Sequence, residues 1–181
     1  MQIPIYVKIV LWTAYLLSLF FAIFWFLVLI DKETKTKIRR LKRYPLVSIV
    51  IPAYNEEKNI ISTLLSLIKL SYPKDKLEII VVNDGSTDNT QRTVNEFAVQ
   101  NKASYIKLIN QKNKGKGAAL NKGLAVSKGE FFICLDADSI VTKDALEKIL
   151  PHFTSQNIGA VLPLLKVDKP KNLWQKMQWL E

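Results

Sequence analysis

Cysteine and histidine are almost absent from this chain, and acidic residues are scarce. Cys134 is the only thiol among 181 residues, so no intrachain disulfide can form, and a reducing, cytosolic setting agrees with that. His152 is the only imidazole and is expected at a surface or a helix end, not in a catalytic role. The 16 Asp and Glu stand against 26 Lys and Arg, leaving a formal charge of +10. Such an excess invites an acidic partner, yet much of it lies in Lys32, Lys35, Lys37, Arg39, Arg40, Lys42 and Arg43. A basic run directly after an apolar stretch fits a membrane surface better than a nucleic-acid arm. The chain carries no recognisable nucleic-acid motif, so nucleic acid is not expected as a partner. Internal repeats are absent too, as is low-complexity sequence beyond the basic linker.

Charge is also missing from residues 9–30, a run of Leu, Phe, Ile and Trp. At about 1.5 Å per residue it spans roughly 33 Å, against a hydrocarbon core of about 30 Å. Lys8 at its edge can snorkel, and Tyr6, Trp12 and Trp25 lie where interfacial aromatics belong. A cleaved signal peptide would need a shorter core, charge before it and a small-residue cleavage site. A buried core helix would keep a polar face. Residues 1–31 are therefore expected to be a retained transmembrane helix with a short flank, followed by a basic juxtamembrane linker over 32–45. The basic residues follow the span, which places the rest of the chain on the cytoplasmic side of the cell membrane.

From residue 46 onwards, short apolar runs alternate with helical patterns. Strands are expected at 47–51, 78–83, 105–109, 131–135 and 158–162. Between them, Asn55 is a candidate cap for a helix carrying Ile60, Ile61, Leu64, Leu65 and Ile68. Thr87 or Asp88 can start a helix that buries Val94, Phe97 and Ala98, another helix falls near 117–127, and Thr142 can cap a last one running through Leu150. Such alternation, with near-continuous apolar strands, predicts an α/β domain: a mostly parallel sheet with helices on both faces. Ligands of such sheets bind beyond the carboxyl ends of the strands, where the polar clusters of this sequence fall.

Asp136-Ala137-Asp138 ends the fourth strand. Two carboxylates so placed suit a hard cation such as Mg²⁺ or Mn²⁺, completed by water and phosphate oxygens, although a solvated turn with two caps would look the same. The run from Asn83 to Asp88 offers Gly85 for a tight turn and Asp84 as an acceptor for a base or ribose; ordinary capping is the plainer account. Pro52, Ala53, Tyr54 and Glu56 could floor a base pocket or form a structural loop. Lys116 and Gly117 lie in a Lys/Gly-rich stretch able to approach phosphate, though the Gly-Lys-Ser/Thr ending of a P-loop is absent, and a solvated basic loop is the alternative.

Taken in order, Val47-Ser48-Ile49-Val50-Ile51-Pro52-Ala53-Tyr54-Asn55-Glu56, Val82-Asn83-Asp84-Gly85-Ser86-Thr87-Asp88, Lys114-Gly115-Lys116-Gly117-Ala118-Ala119-Leu120-Asn121 and Asp136-Ala137-Asp138 resemble the family 2 glycosyltransferases of the GT-A fold. The likeness covers roughly residues 45–165. It implies a Rossmann-like GT-A domain over 46–168 that binds a nucleotide-sugar, most often a UDP-sugar. By the same resemblance, Ala53, Tyr54 and Glu56 line the base and ribose and Asp84 contacts the base. Lys116 and its glycine neighbours approach the donor, Asp136 faces the sugar or ribose, and Asp138 ligates the divalent cation.

The apolar leader, the basic linker and the tail narrow the resemblance to membrane-bound polysaccharide synthases of the poly-N-acetylglucosamine, hyaluronan and cellulose synthase types. That implies membrane lipids and a glycan or lipid-linked acceptor as partners. Leu173, Trp174, Met177 and Leu180 share one face of an expected amphipathic helix over 169–181, suited to an interface. No match to the family's base-carboxylate or acceptor motifs follows Asp138. The general base is therefore expected beyond Glu181, and the chain reads as a donor-binding half. Two rivals follow: a non-catalytic, membrane-tethered nucleotide-sugar-binding subunit, and a phosphatase of the haloacid dehalogenase type. The latter places its nucleophile after the first strand, whereas Asp136 follows the fourth.

Overall fold

The computed structural model describes residues 4–30, 41, 43–154, 158–163 and 172. The chain divides into two units, Met1–Lys37 and Ile38–Glu181. Within the first, helix α1 (Ile5–Ile30) exposes its apolar side chains from Ile9 to Val28, and its Ile5–Val28 stretch is long and apolar enough to cross a membrane. The Thr13 hydroxyl donates to the Ile9 carbonyl one turn back, so this polar group is satisfied within the helix. Of the basic linker only Leu41 and Arg43–Pro45 are described, and the expected 169–181 helix lies outside the described residues apart from Asn172.

The second unit is built on four parallel strands: β1 (Val47–Ala53), β2 (Leu77–Asp84), β3 (Ile106–Gln111) and β4 (Phe131–Cys134), in the spatial order β3-β2-β1-β4. The two central strands, β1 and β2, are buried almost throughout, as their unbroken apolar runs require. Alternation along each strand sorts the core into two faces. Ile49, Ile51, Ile79 and Val81 meet α2 (Ile60–Ile68) and α3 (Thr90–Gln100) through Ile60, Leu64, Leu67, Val94 and Phe97; α5 (Ala145–Ile149) and the 3-10 turn after it add Leu146 and Leu150. Val50, Ile80 and Val82 meet α4 (Lys116–Val126) through Ala119 and Leu120. Helices thus cover both faces. On the second face Gly123 allows α4 to lie close against β1, since a Cβ there would sit 2.3 Å from Val50 Cγ1.

Three local expectations are corrected. Asn55 does not cap α2: it takes a left-handed φ of 56°, and Asn59 holds the cap position. Asparagine suits both roles because its short amide can bond to nearby backbone, so residue type alone does not separate them. Thr142 likewise gives way to Asp144 as the cap residue of α5, and its hydroxyl donates to the Asp144 carboxylate instead. Residues 158–163 form no strand: they have no ladder partner among the described residues, and Leu162 is 94% exposed. An apolar run becomes a strand only when a neighbour takes its backbone groups.

Candidate active site

The chain leaves all four parallel strands at the same end of the sheet, so the segments that follow them gather there. They enclose a cleft of about 260 Å³ lined by Pro52, Ala53, Tyr54, Glu56, Asp84, Lys116, Asp136, Ala137 and Asp138. Of the nine residues singled out from the sequence, Gly117 alone does not line it; it lies in the first turn of α4.

One wall is stitched by reciprocal hydrogen bonds between the loops after β1 and β2. Asn55 N donates to Ser86 Oγ at 3.0 Å, Glu56 N to Thr90 Oγ1 at 2.8 Å and Glu57 N to Asp88 Oδ2 at 3.1 Å. In return Thr87 N donates to Asn55 Oδ1 at 2.8 Å and Asn89 N to Glu57 Oε2 at 2.9 Å. Asp88 also accepts from the Thr90 amide and hydroxyl. Burial pushes the Asp88 carboxyl up, but these donors outweigh it and hold it below the ordinary value. Left-handed Asn55 is what turns the first loop towards the second.

Asp84 ends β2 and is 3% exposed. Its Oδ1 accepts from Gln111 Nε2 at 2.7 Å and Lys114 N at 2.9 Å, and its Oδ2 from Gly115 N at 2.8 Å. Burial would raise its pKa; the donors from Gln111, Lys114 and Gly115 lower it on balance, so the carboxylate stays charged. Asp84 therefore fixes the β3–α4 loop as well as lining the cleft. Gly85 has a φ of +73°, and a Cβ there would come within 2.7 Å of Asn113 N, so the same loop closes down directly on the turn.

The opposite wall is open. The Lys116 ammonium pairs with Asp136 Oδ1 at 2.6 Å, with the two side chains 61% and 54% exposed. Asp136 and Asp138 are both exposed, while Ala137 between them is buried and its carbonyl accepts from Thr63 Oγ1 at 2.7 Å. That anchor to α2 turns the flanking carboxylates outwards. Neither Ala137 as a lining residue nor Thr63 as its anchor was foreseen, because a buried threonine in a helix carries no signal of a partner 74 residues away.

Among the described residues no group of three or more His, Cys, Asp or Glu is gathered to hold a metal ion. Two exposed carboxylates at a cleft mouth do not make a protein cage. They fit Mg²⁺ or Mn²⁺, which keep water and phosphate oxygens in their shell and need only one or two carboxylates. His152 lies half-buried in the 3-10 turn after α5, away from this lining.

The comparisons agree with this architecture. The model of glycosyl transferase family 2 matches residues 48–180. A probable glycosyltransferase, YdaM of Bacillus subtilis, is 43% identical over 132 residues, which is 70% of this chain and 31% of that protein. A poly-beta-1,6-N-acetyl-D-glucosamine synthase of Staphylococcus epidermidis is 33% identical over 136 residues, 75% of this chain and 32% of its own. The chain thus spans about a third of the length of these curated relatives.

Among solved structures, the mannosyltransferase PcManGT of Pyrobaculum calidifontis, in complex with GDP-Man and Mn²⁺, superposes with a TM-score of 0.67. It is 28% identical, over 90% of this chain and 46% of that one. Residues 1–349 of S. aureus TarS in complex with UDP-GlcNAc give 0.52 at 34% identity, over 56% and 29%. The parallel sheet, the two-sided helix cover and these likenesses have one reading: the chain belongs to glycosyl transferase family 2, with a GT-A-like fold.

Proposed function

We propose that this chain is the donor-binding part of a membrane-anchored, inverting glycosyltransferase. It takes a nucleotide-sugar, a UDP-sugar in our reading, together with Mg²⁺ or Mn²⁺, and serves transfer to a glycan or lipid-linked acceptor. One observation carries the reading: Tyr54, Glu56, Asp84, Lys116, Asp136 and Asp138 come from four separate stretches and line one cleft at the carboxyl ends of parallel strands. The Tyr54 side, with Pro52, Ala53 and Glu56, offers a ring and a stitched backbone for base and ribose. Lys116 supplies charge for the phosphates. Asp138 would hold the cation, which when bound stabilises the departing diphosphate, and Asp136 would face the sugar or ribose and, as the second carboxylate of the pair, can share that cation. The UDP-GlcNAc complex among the relatives favours uridine; the GDP-Man complex makes guanine the alternative to test.

Helix α1 is the membrane anchor in this proposal, with the domain on the cytoplasmic side at the cell membrane, where the basic stretch from Lys32 to Arg43 meets anionic lipid. Binding without turnover is the second reading, favoured by the state of the cleft's own acids. Asp84 is held by three donors and Asp136 is paired with Lys116, while Asp138 is given to the cation and Glu56 to the ribose in this reading. That leaves no cleft acid assigned to take a proton from an acceptor hydroxyl. Calorimetry of the detergent-solubilised chain with UDP and GDP, with and without Mn²⁺, tests the proposal. UDP should bind in a Mn²⁺-dependent way, and Asp138→Ala should abolish that dependence. Equal affinity in variant and wild type would end the assignment.

A further inference from the structure

The Lys116–Asp136 pair is the one bond described between the first turn of α4 and the Asp-x-Asp segment. It gives Asp136 a full counter-charge while, among the described residues, no cation pairs with Asp138. Resting on the donor-and-cation reading above, we propose that Lys116 is the resting counter-ion of Asp136. It weakens that carboxylate's hold on divalent metal until a nucleoside diphosphate draws the ammonium onto its phosphates.

Three features carry this. An ammonium 2.6 Å from Asp136 Oδ1 occupies one of the two carboxylate oxygens, and a second cation on the same carboxylate is repelled by it. The lysine side chain is 61% exposed on a flexible stem, so re-aiming it disturbs no packing. Its backbone is meanwhile held in place, because Asp84 accepts from Gly115 N immediately before it. The side chain can therefore exchange carboxylate for phosphate without moving α4. Nucleotide arrival frees Asp136 and brings phosphate oxygens in the same event, so metal is held more tightly once the nucleotide is bound.

The test separates two binding events that an ordinary donor-contacting lysine would affect alike. Mn²⁺ binding to the full chain in detergent is measured by electron paramagnetic resonance, first without nucleotide and then with UDP, for wild type and Lys116→Met. Without nucleotide, Lys116→Met should bind Mn²⁺ about two- to five-fold more tightly, the size of an exposed ion pair. UDP binding at saturating Mn²⁺ should weaken in the same variant, and the enhancement of Mn²⁺ affinity by UDP should shrink. Nucleotide-free Mn²⁺ affinity that is unchanged or weaker in Lys116→Met overturns the proposal. Asp138→Ala separates the two levels: if it leaves UDP-dependent Mn²⁺ binding intact, the cation reading itself falls, whatever Lys116 does. Lys116→Arg, which keeps the charge, should retain the weak nucleotide-free binding of wild type, and failure to do so also counts against the counter-ion role.

Discussion

Replacing Asp84 by asparagine changes one atom and should cost much of the domain's stability. The carboxylate receives three donors: two on Oδ1 from Gln111 Nε2 and Lys114 N, and one on Oδ2 from Gly115 N. Asparagine keeps one acceptor oxygen, which can retain the pair on Oδ1. Its amide nitrogen must then face the Gly115 N–H, donor against donor. Orphaning one donor costs about 1–3 kcal/mol, and losing the charge weakens the two bonds that remain, giving roughly 2–4 kcal/mol. Against a total of about 5–15 kcal/mol, that is a large share.

Urea unfolding of the detergent-solubilised chain, followed by far-UV circular dichroism at neutral pH, measures it. The pH dependence supplies a second signature. The folded-state pKa of Asp84 is depressed, so its stabilisation is complete above the unfolded carboxylate value of about 4. It is lost as pH falls through the lowered folded value. The gap between wild type and Asp84→Asn should therefore be widest at neutral pH and close in acid. A loss below about 0.5 kcal/mol at neutral pH, within the ordinary scatter of surface changes, would refute the view that Asp84 holds the β3–α4 loop.

Two further perturbations test the packing around the site. Gly123→Ala puts a methyl 2.3 Å from Val50 Cγ1 and should destabilise by about 1–3 kcal/mol by thermal melting; Val50→Ala in the same chain should recover part of that loss. Glu78 is buried and accepts from Ser48 Oγ at 2.6 Å, Lys107 Nζ at 2.7 Å and Lys128 N at 3.0 Å. Burial raises its pKa, but the Lys107, Ser48 and Lys128 donors lower it on balance, so its contribution is present above the unfolded carboxylate value and fades as pH falls through the folded one. Glu78→Gln should cost about 1–3 kcal/mol at neutral pH, with a flatter acid limb in the unfolding profile, mostly through the buried Ser48 and Lys128 contacts because Lys107 is half-exposed.

The sheet was legible where burial on both faces leaves a plain record. Val47, Ile49, Val50 and Ile51, like Ile79 to Val82, cannot be apolar in succession on a half-solvated strand. The strand-end clusters followed from the parallel order, which sends every βα loop to one edge. What sequence left ambiguous depends on partners far along the chain. Asn55 has the same composition signal as a cap and as a left-handed turn, and only the Thr87 amide, 32 residues on, decides between them. Asp84 was expected to meet a base, and its grip on Gly115 was invisible because backbone donors have no sequence signature. Ser48 and Glu78 interrupt two apolar strands, and their pairing 30 residues apart appears only once β1 and β2 lie side by side. Residues 158–162 misled for the opposite reason: their composition suits a strand, but composition does not supply a neighbour.

The unlike construction of the cleft's two sides has a kinetic consequence under the proposed reading. Where the Asn55 and Ser86 loops grip each other, the surface is already set, so a nucleoside docking there gives up little chain freedom in the protein and is indifferent to added salt. The diphosphate end instead meets solvent-exposed charges, whose attraction fades as the ionic strength rises. Raising the salt should therefore slow capture of the diphosphate while leaving recognition of the base intact. The selectivity between uracil and guanine would then hold at ionic strengths where overall affinity has already dropped.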